Sequence, residues 1–207
     1  MILMAKKQLF IVRHGETDFN RLNIVQGSGV DKELNELGRL QAQQFYEHYQ
    51  QIPFQHIFTS ALIRTHQSVE SFIKKGIKHS VLPELNEISW GDFEGKLQTP
   101  EQKVLYWDTV NLWNKGDLHA KITNGESPIE MQERQKIALS HIINAEEELV
   151  LICMHGRAMK SFLCLMLDEP LTKMEQFQHT NLCLYHLEYD GEKFELLKAN
   201  DTTHLLS

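Results

Sequence analysis

The chain has few of the features that stabilise small secreted domains or anchor proteins in membranes. Its three cysteines are an odd number, and they form neither a CxxC pair nor a Cys/His zinc pattern: Cys153, Cys164 and Cys183. No apolar run approaches the roughly 20 residues that span a bilayer, and the opening MILMAKK is too short for the apolar region of a signal peptide. These absences predict a soluble, cytoplasmic protein with reduced, buried thiols.

Positive charge is also in short supply. The sequence has 21 Lys and Arg against 28 Asp and Glu, for a net charge of −7. An acidic surface argues against nucleic acid and anionic membranes as partners. A small anionic ligand stays possible, because a local cluster of Arg and His can be positive on an acidic protein. The apolar content of 42% is that of an ordinary globular chain, which can form its core without metals or disulfides.

Strand and helix patterns alternate along the chain. Short apolar runs typical of buried strands occur at 9–12, 56–60, 78–83 and 149–154. Helical patterns follow at 34–50, 61–75, after Ser127, and at 157–167. Two last strands, 182–189 and 193–199, flank the hairpin signal Asp190-Gly191. We expect an α/β fold, a three-layer α/β/α sandwich with a mainly parallel central sheet, in a single domain over 1–207.

Residues 84–126 interrupt this alternation. They contain all three tryptophans and little strand signal, and helical pieces are expected near 100–115. We interpret this segment as a helical cap inserted over one end of the sheet.

Two of the predicted buried strands end in a histidine followed by glycine. Arg13 and His14 follow the first strand, and His155 and Gly156 follow the strand LVLICM. Parallel strands bring their carboxyl ends to one edge of the sheet, where ligands bind. Arg64 lies about one turn into the helix after another strand, near the same edge. Arginine forks suit the oxygens of a tetrahedral anion, and the backbone N–H groups near Gly156 are expected to face it.

These residues, in this order, resemble the histidine phosphatase superfamily, with its phosphoglycerate-mutase-like fold. The segments RHGET, TSALIRTHQS, LNEISWGDFEG and MHGRAM carry the resemblance, which extends over nearly the whole chain. The pattern around LNEISWGDFEG is similar to the phosphatase branch of the superfamily.

The resemblance implies a role for each matched residue. His14 would attack phosphorus and form a phosphohistidine, and Arg13, Arg64 and His155 would bind the phosphoryl oxygens. Glu87 would protonate the leaving oxygen and then deprotonate the attacking water. The remaining phosphate or leaving-group contacts would come from Asn20, Gln26, Gly27 and the backbone N–H of Gly156.

Several assignments compete with these. Glu84, Asp92 and Glu94 lie near Glu87, and the LNEI pattern favours Glu87 as the proton carrier. Glu16 is expected to be structural, and the other histidines, His48, His66, His119 and His179 among them, form no recognisable metal set. Candidates for a substrate pocket, by location in the cap, are Leu97, Tyr106, Trp107 and Trp113.

The sequence therefore predicts a phosphomonoester hydrolase acting on a small phosphorylated metabolite. It would be a metal-independent phosphatase of the histidine acid phosphatase type, with no cofactor. One alternative is a cofactor-dependent phosphoglycerate mutase, for which a longer chain and an ERHYG-type segment are expected. Another is a catalytically silent phosphate-binding protein, for which a damaged site is expected. Oligomeric state stays open, with a homodimer as one option.

One departure from the family pattern bears on substrate choice. The chain has His-Gly-Arg followed by Lys160, where many relatives have His-Gly-Gly followed by Arg. This leaves the inner site intact, and we expect any effect of Arg157 to fall on an adjacent pocket.

Overall fold

The computed structural model describes residues 6–205, in which six strands form one mixed sheet. Residues 1–5, part of the segment judged too short for a signal peptide, and residues 206–207 lie outside this range. The strands are β1 (Lys7–Arg13), β2 (His56–Thr59), β3 (Lys78–Val81), β4 (Leu149–Met154), β5 (Leu184–Tyr189) and β6 (Phe194–Asp201). Their order is β3-β2-β4-β1-β5-β6. The first four are parallel to one another, and β5 is antiparallel to both β1 and β6. A mainly parallel sheet is thereby confirmed.

Helices cover both faces of this sheet. They are α1 (Asp18–Arg21), α2 (Glu36–Tyr49), α3 (Ile63–Lys74), α4 (Pro100–Asn114), α5 (Pro128–Asn144) and α6 (Gly156–Met166). Side chains of α2 and α3 pack with Phe10 and Val12 of β1, whereas side chains of α5 and α6 pack with Leu9 and Ile11. Successive residues of a strand point to opposite faces, so β1 contributes to two separate cores. This is the predicted three-layer arrangement.

The ends of several helices follow their sequence signals. Ser127 and Glu130 form a capping box, in which Glu130 N donates to Ser127 Oγ at 3.4 Å and Ser127 N donates to the Glu130 carboxylate at 2.8 Å. Asn35 Oδ1 accepts from Gly38 N at 2.8 Å and caps α2. Gly76 has a φ of +87° just after α3, a conformation that glycine adopts without strain.

Several predicted boundaries differ from the observed ones by one or two residues. The strand expected over 78–83 ends at Val81, because Pro83 starts a 3-10 turn. Helix α6 begins at Gly156, one residue earlier than expected, so His155 occupies its N-cap position. This places the second histidine directly between strand β4 and the start of a helix.

The segment between β3 and α5 contains two 3-10 turns, α4 and no strand. Trp113 of α4 is buried in the same hydrophobic cluster as Ile11, and its indole Nε1 donates to Ala120 O at 2.7 Å. Trp90 stacks on Trp113 with ring centroids 5.5 Å apart. The segment therefore shares the core of the sheet. Nowhere in residues 6–205 does a helix combine the length and apolarity needed to cross a membrane.

Candidate active site

His14 lies at the carboxyl end of β1 and is 2% exposed. Its Nδ1 is 2.7 Å from the carbonyl oxygen of Gly15. A carbonyl oxygen only accepts hydrogen bonds, so the proton of the neutral ring is on Nδ1 and the lone pair is on Nε2. The structure thereby fixes the His14 ring as the Nδ1–H tautomer.

The surroundings of His14 also keep it neutral. Burial lowers its pKa well below the ordinary 6.5, and the positive charges of Arg64 and Arg13 lower it further. Only the hydrogen bond to Gly15 acts in the other direction. A neutral imidazole is the form that attacks phosphorus.

The turn after His14 is held between two helices. Gly15 N donates to Ser68 Oγ of α3 at 2.9 Å, and that hydroxyl donates to Arg64 O at 2.7 Å. A Cβ at Gly15 would lie 2.6 Å from the carbonyl oxygen of Gly38 in α2, so no side chain fits there. These contacts determine where the acceptor for His14 Nδ1 lies.

Glu16 fastens the same turn to the start of α2. Asn35 N donates to Glu16 O at 3.0 Å, and Asn35 Nδ2 donates to Glu16 Oε1 at 2.8 Å. Glu16 N in turn donates to Gln41 Oε1 at 2.9 Å. Glu16 is structural, as expected from the sequence.

Arg64 and His155 form a fully buried pair beside His14. Arg64 Nε donates to His155 Nδ1 at 3.2 Å, and the two histidine rings have centroids 5.1 Å apart. The guanidinium also donates to the carbonyls of Val30 and Gly27, at 2.8 and 3.3 Å. Burial is the main cause that lowers the pKa of Arg64 to about 10, so the group stays charged at neutral pH.

His155 differs from its predicted role in one respect. Because Nδ1 accepts from Arg64, Nε2 carries the proton and donates to Ser60 Oγ at 2.8 Å. Both ring nitrogens therefore bind protein atoms, and His155 orients Arg64. Direct donation to a phosphoryl oxygen would require His155 to give up one of these two hydrogen bonds.

Arg13 meets a histidine that the sequence analysis left unassigned. Its Nη1 lies 3.2 Å from Nδ1 of His179, which precedes β5. Burial, followed by the charge of Arg13, lowers the pKa of His179 to about 3, so His179 accepts this hydrogen bond as a neutral ring. Since β5 is antiparallel to β1, the segment before it reaches the edge at which β1 ends.

Asn20 and Gln26 belong to the same part of the site as Arg13. Asn20 Oδ1 accepts from Thr17 N at 3.1 Å and from Asn181 Nδ2 at 3.3 Å, which points the Asn20 amide nitrogen away from these donors. Gln26 Oε1 accepts from Thr17 Oγ1 at 3.4 Å. Each of the two thus keeps an amide nitrogen as a donor for an anion.

Glu87 is 7% exposed and lies against the start of α6. Its Oε1 accepts from Ile88 N at 3.0 Å and Ala158 N at 2.8 Å, and its Oε2 accepts from Arg157 N at 3.1 Å. The backbone N–H groups expected to face a ligand here thus include two that bind Glu87 instead. A carboxylate at a helix N-terminus is favoured by the helix dipole, which explains the exchange.

Arg134 of α5 positions the Glu87 segment and was missed by the sequence analysis. Its guanidinium donates to the carbonyls of Glu84, Asn86 and Glu87 at 2.7, 2.9 and 3.1 Å. The Glu126 carboxylate accepts from the same group at 2.7 and 2.8 Å. The capping box that starts α5 was readable, but nothing in the sequence indicated what Arg134 holds.

These groups surround a cavity of about 160 Å³. It is lined by Arg13, Asn20, Val25, Gln26, Glu87, Trp90, Tyr106, Gly156, Arg157 and His179. His14, Gly27, Arg64 and His155 are not among these lining residues. His14, Arg64 and His155 are buried, and Gly27 accepts from Arg64 through its carbonyl. The cavity is smaller than the several hundred Å³ typical of whole-ligand pockets, and suits one small polar group.

The competing residues lie elsewhere. Glu94 Oε1 accepts from Trp90 N at 2.7 Å, Asp92 binds Asn124 at 2.9 Å, and Glu84 is absent from the cavity lining. Of the four pocket candidates, Tyr106 lines the cavity and Trp113 belongs to the core. The other two, Leu97 and Trp107, are exposed on the surface.

Fold and site together define an α/β protein with a buried, neutral histidine among arginines at the edge of a parallel sheet. The family model of the histidine phosphatase superfamily (branch 1) matches residues 9–202, and the chain belongs to this superfamily.

Individual relatives have different names. The chain is 28% identical to a probable phosphoglycerate mutase GpmB of Proteus mirabilis, over 96% of this chain and 94% of that protein. It is 38% identical to the fructose-2,6-bisphosphatase TIGAR of Xenopus laevis over 98 residues, which are 45% of this chain and 36% of that longer protein. Among solved structures, Bacillus stearothermophilus YhfR superposes with a TM-score of 0.83 at 26% identity, over 96% and 99% of the two chains.

Proposed function

We propose that this protein is a phosphomonoester hydrolase that acts through a phosphohistidine on His14. The observation that carries the proposal is the hydrogen bond from His14 Nδ1 to Gly15 O, which leaves the lone pair on Nε2 of a ring whose pKa Arg64 and Arg13 lower further after burial. Membership of the superfamily supports the same chemistry. The substrate would be a small phosphorylated metabolite, as the name of the bisphosphatase relative suggests.

The first step transfers the phosphoryl group to the protein. His14 Nε2 forms a bond to phosphorus while the bond from phosphorus to the ester oxygen breaks, and the protonated Glu87 gives its proton to that oxygen. Arg13 and Arg64 stabilise the charge on the three equatorial oxygens. Glu87 lines the cavity together with Arg13, so the acid lies close to the group that it serves.

The second step regenerates the protein. Water attacks phosphorus, Glu87 takes its proton, and the bond between phosphorus and Nε2 breaks to release inorganic phosphate. Asn20, Gln26 and the backbone N–H of Gly156 add donors around the anion, and Gly27 holds Arg64. His155 orients Arg64 in this scheme. Residues 84–126 act as the cap, since Glu87, Trp90 and Tyr106 line the cavity from that segment.

A mutase is the second candidate, because one relative is named a probable phosphoglycerate mutase. In a mutase, a hydroxyl group of the bound substrate would take the phosphoryl group from His14 in place of water. The two activities differ in their product, so one assay separates them.

The test is phosphate release from a panel of monoesters in EDTA, run with and without 2,3-bisphosphoglycerate. We expect release without added metal or bisphosphoglycerate, because arginines supply the cationic groups. His14→Ala should lower kcat by about 10⁴-fold or more, by loss of the nucleophile. The matched control is His119→Ala, which removes an exposed histidine and should leave kcat unchanged.

Each failure has a definite meaning. Isomerisation of 3-phosphoglycerate to 2-phosphoglycerate that depends on bisphosphoglycerate, without phosphate release, would establish the mutase. Turnover that survives in His14→Ala would show that His14 is not the nucleophile. Turnover abolished by EDTA and restored by a metal ion would refute the role given to the arginines.

A further inference from the structure

The chemistry above does not use Arg157, the residue at which the chain departs from its family pattern. Arg157 is 8% exposed and lines the cavity together with Glu87 and His179. Its backbone N–H binds Glu87, so its side chain starts on the side of the leaving group. A buried guanidinium at this point needs an anionic partner to offset its desolvation.

Aromatic rings hold the guanidinium in place. Its Cζ lies 6.0 Å from the ring centre of Trp90 and 5.5 Å from that of Trp113, and Nη2 donates to Tyr106 Oη at 3.5 Å. Stacking on aromatic faces fixes the plane of an arginine fork and lowers the entropy it loses on binding. Three residues of the cap segment thus pre-organise one arginine.

The charge around Arg157 is unbalanced. Arg157 and Lys160, one turn further along α6, both pair with the same carboxylate, Glu175. The Lys160 ammonium lies 2.7 Å from Glu175 Oε2, and the exposed fractions of the two cationic side chains are 9% and 8%, against 31% for Glu175. Two buried cations therefore share one partly exposed anion.

The lowered pKa values of Lys160 and His179 agree with a surplus of positive charge. Burial, and then the charges of Arg157 and Arg13, lower the pKa of Lys160 to about 8. His179, across the cavity, also has a pKa lowered by Arg13, Lys160 and Arg157 after burial. Both groups report a positive field on the leaving-group side.

We propose that Arg157 binds a second anionic group, a carboxylate or a further phosphate, on the alcohol part of the substrate. The preferred substrates would then be phosphomonoesters whose leaving alcohol is itself anionic. Arg13 and Arg64 match the transferring phosphoryl group. With Glu87 protonated, as the first step requires, Arg157 and Lys160 exceed Glu175 by one positive charge. This specificity rests on the proposed hydrolase function.

Glu175 acts in the opposite direction. It lies in the 3-10 turn Leu171–Gln176 and forms an ion pair with the guanidinium of Arg157. A substrate anion has to compete with it for Arg157. Neutralising Glu175 should therefore strengthen the preference for anionic substrates, whereas neutralising Arg157 should weaken it.

The test compares matched substrates that differ in one anionic group. The first pair is 3-phosphoglycerate and racemic glycerol 3-phosphate, which has a hydroxymethyl group in place of the carboxylate. The second pair is fructose 1,6-bisphosphate and fructose 6-phosphate. The ratio of kcat/KM within each pair is measured for the unaltered protein, Arg157→Met, Glu175→Gln and the control Lys173→Met, with 4-nitrophenyl phosphate as a reference ester.

We expect Arg157→Met to lower the anionic-to-neutral ratio of at least one pair about 10- to 100-fold, as for the loss of a charge-assisted hydrogen bond. Glu175→Gln should raise the same ratio roughly 3- to 10-fold. Lys173 pairs with Glu169 on the surface, so Lys173→Met should leave both ratios unchanged. The responding pair identifies the anion as carboxylate or phosphate.

Ratios that stay within two-fold in Arg157→Met would overturn the proposal, as would an equal loss on 4-nitrophenyl phosphate, which indicates a structural role. If the protein hydrolyses none of these esters, a binding measurement still tests whether Arg157 recognises the second anionic group. Calorimetry on His14→Asn and His14→Asn/Arg157→Met would give the affinities for both members of each pair. Equal affinity ratios in the two proteins would again refute the role of Arg157.

Discussion

At the scale of single residues, the position of one proton determines what the site can do. The acceptor of His14 Nδ1–H is a backbone carbonyl, and that carbonyl belongs to a turn whose N–H is bound by Ser68. The proposed nucleophile, His14, is thus oriented through the Gly15 peptide by the Ser68 hydroxyl group. Ser68 is a positioning residue, and its effect should appear in kcat.

We predict that Ser68→Ala lowers kcat about 10-fold with little change in KM, because the Gly15 carbonyl no longer holds the His14 ring at one angle. It should also destabilise the fold by about 1–3 kcal/mol, the cost of an unpaired buried N–H group. Steady-state kinetics and urea unfolding measure the two effects. The control is Ser71→Ala on the same helix, and a loss of stability at unchanged kcat would reduce Ser68 to a structural role.

Glu87 gives a second prediction at this scale. Glu87→Gln should lower kcat/KM about 10²- to 10⁴-fold for alkyl phosphates, whose leaving oxygen needs a proton. The loss should be much smaller for 4-nitrophenyl phosphate, since nitrophenolate leaves without one. Glu84→Gln is the matched control, because Glu84 was a rival in sequence and does not line the cavity. Equal losses on both ester types would argue against Glu87 as the proton donor.

At the scale of elements, the site depends on helices that hold loops. Helix α5 contributes Arg134, which donates to the carbonyls of Glu84, Asn86 and Glu87 in the segment that carries the candidate acid. Helix α2 contributes Gly38, whose Cα packs against the backbone of Glu16. A Cβ at this position would lie 2.0 Å from Glu16 O. Both contacts hold a catalytic loop through its backbone and not through its reactive side chain.

Arg134→Met should lower kcat more than it changes KM, since Glu87 would lose its fixed position. Loss of the charged hydrogen bonds should cost about 1.5–3 kcal/mol of unfolding free energy. The comparison is Arg39→Met, which removes an exposed pair with Glu33 and should cost less than about 1 kcal/mol. A pH profile of kcat unaltered in shape and height in Arg134→Met would contradict the positioning role.

At the scale of the whole molecule, burying neutral histidines ties stability to pH. Burial lowers the pKa of both His14 and His155 well below 6.5, whereas the unfolded chain protonates them near that value. Below pH 6.5 the unfolded state therefore binds more protons than the folded state. Their contribution to stability is present above pH 6.5 and is lost as the pH falls toward the folded pKa values.

We predict that the free energy of unfolding falls between pH 7 and pH 5.5, by up to about 1.4 kcal/mol per pH unit for each such histidine. The carboxylates of Glu130 and Glu147 add little in this window, because hydrogen bonds from lysine lower their pKa to about 2. Urea unfolding at several pH values measures the slope. His14→Asn/His155→Asn should reduce the slope, with the remainder due to other buried histidines such as His179. An unchanged slope in that variant would refute the assignment.

Much of the fold and the centre of the site could be predicted from the sequence, for local reasons. Strand β4, the capping box at Ser127 and the turn at Gly76 depend on periodicity and on hydrogen bonds within a few residues. The two His-Gly strand ends could be placed together, since parallel strands end at one edge. The extent of β3 was less readable, because its four residues are half exposed and their pattern is weak.

The sequence by itself determined which histidines and arginines follow buried strands, and where the helices after those strands begin. Only the tertiary structure decided that His179 meets Arg13 across 166 positions, that Arg134 holds Glu87, and that Glu87 occupies the N–H groups expected to face a ligand. It also decided the tautomers of His14 and His155. The physical reason is that each of these depends on a hydrogen-bond partner brought close by packing, and no local pattern of residues specifies such a partner.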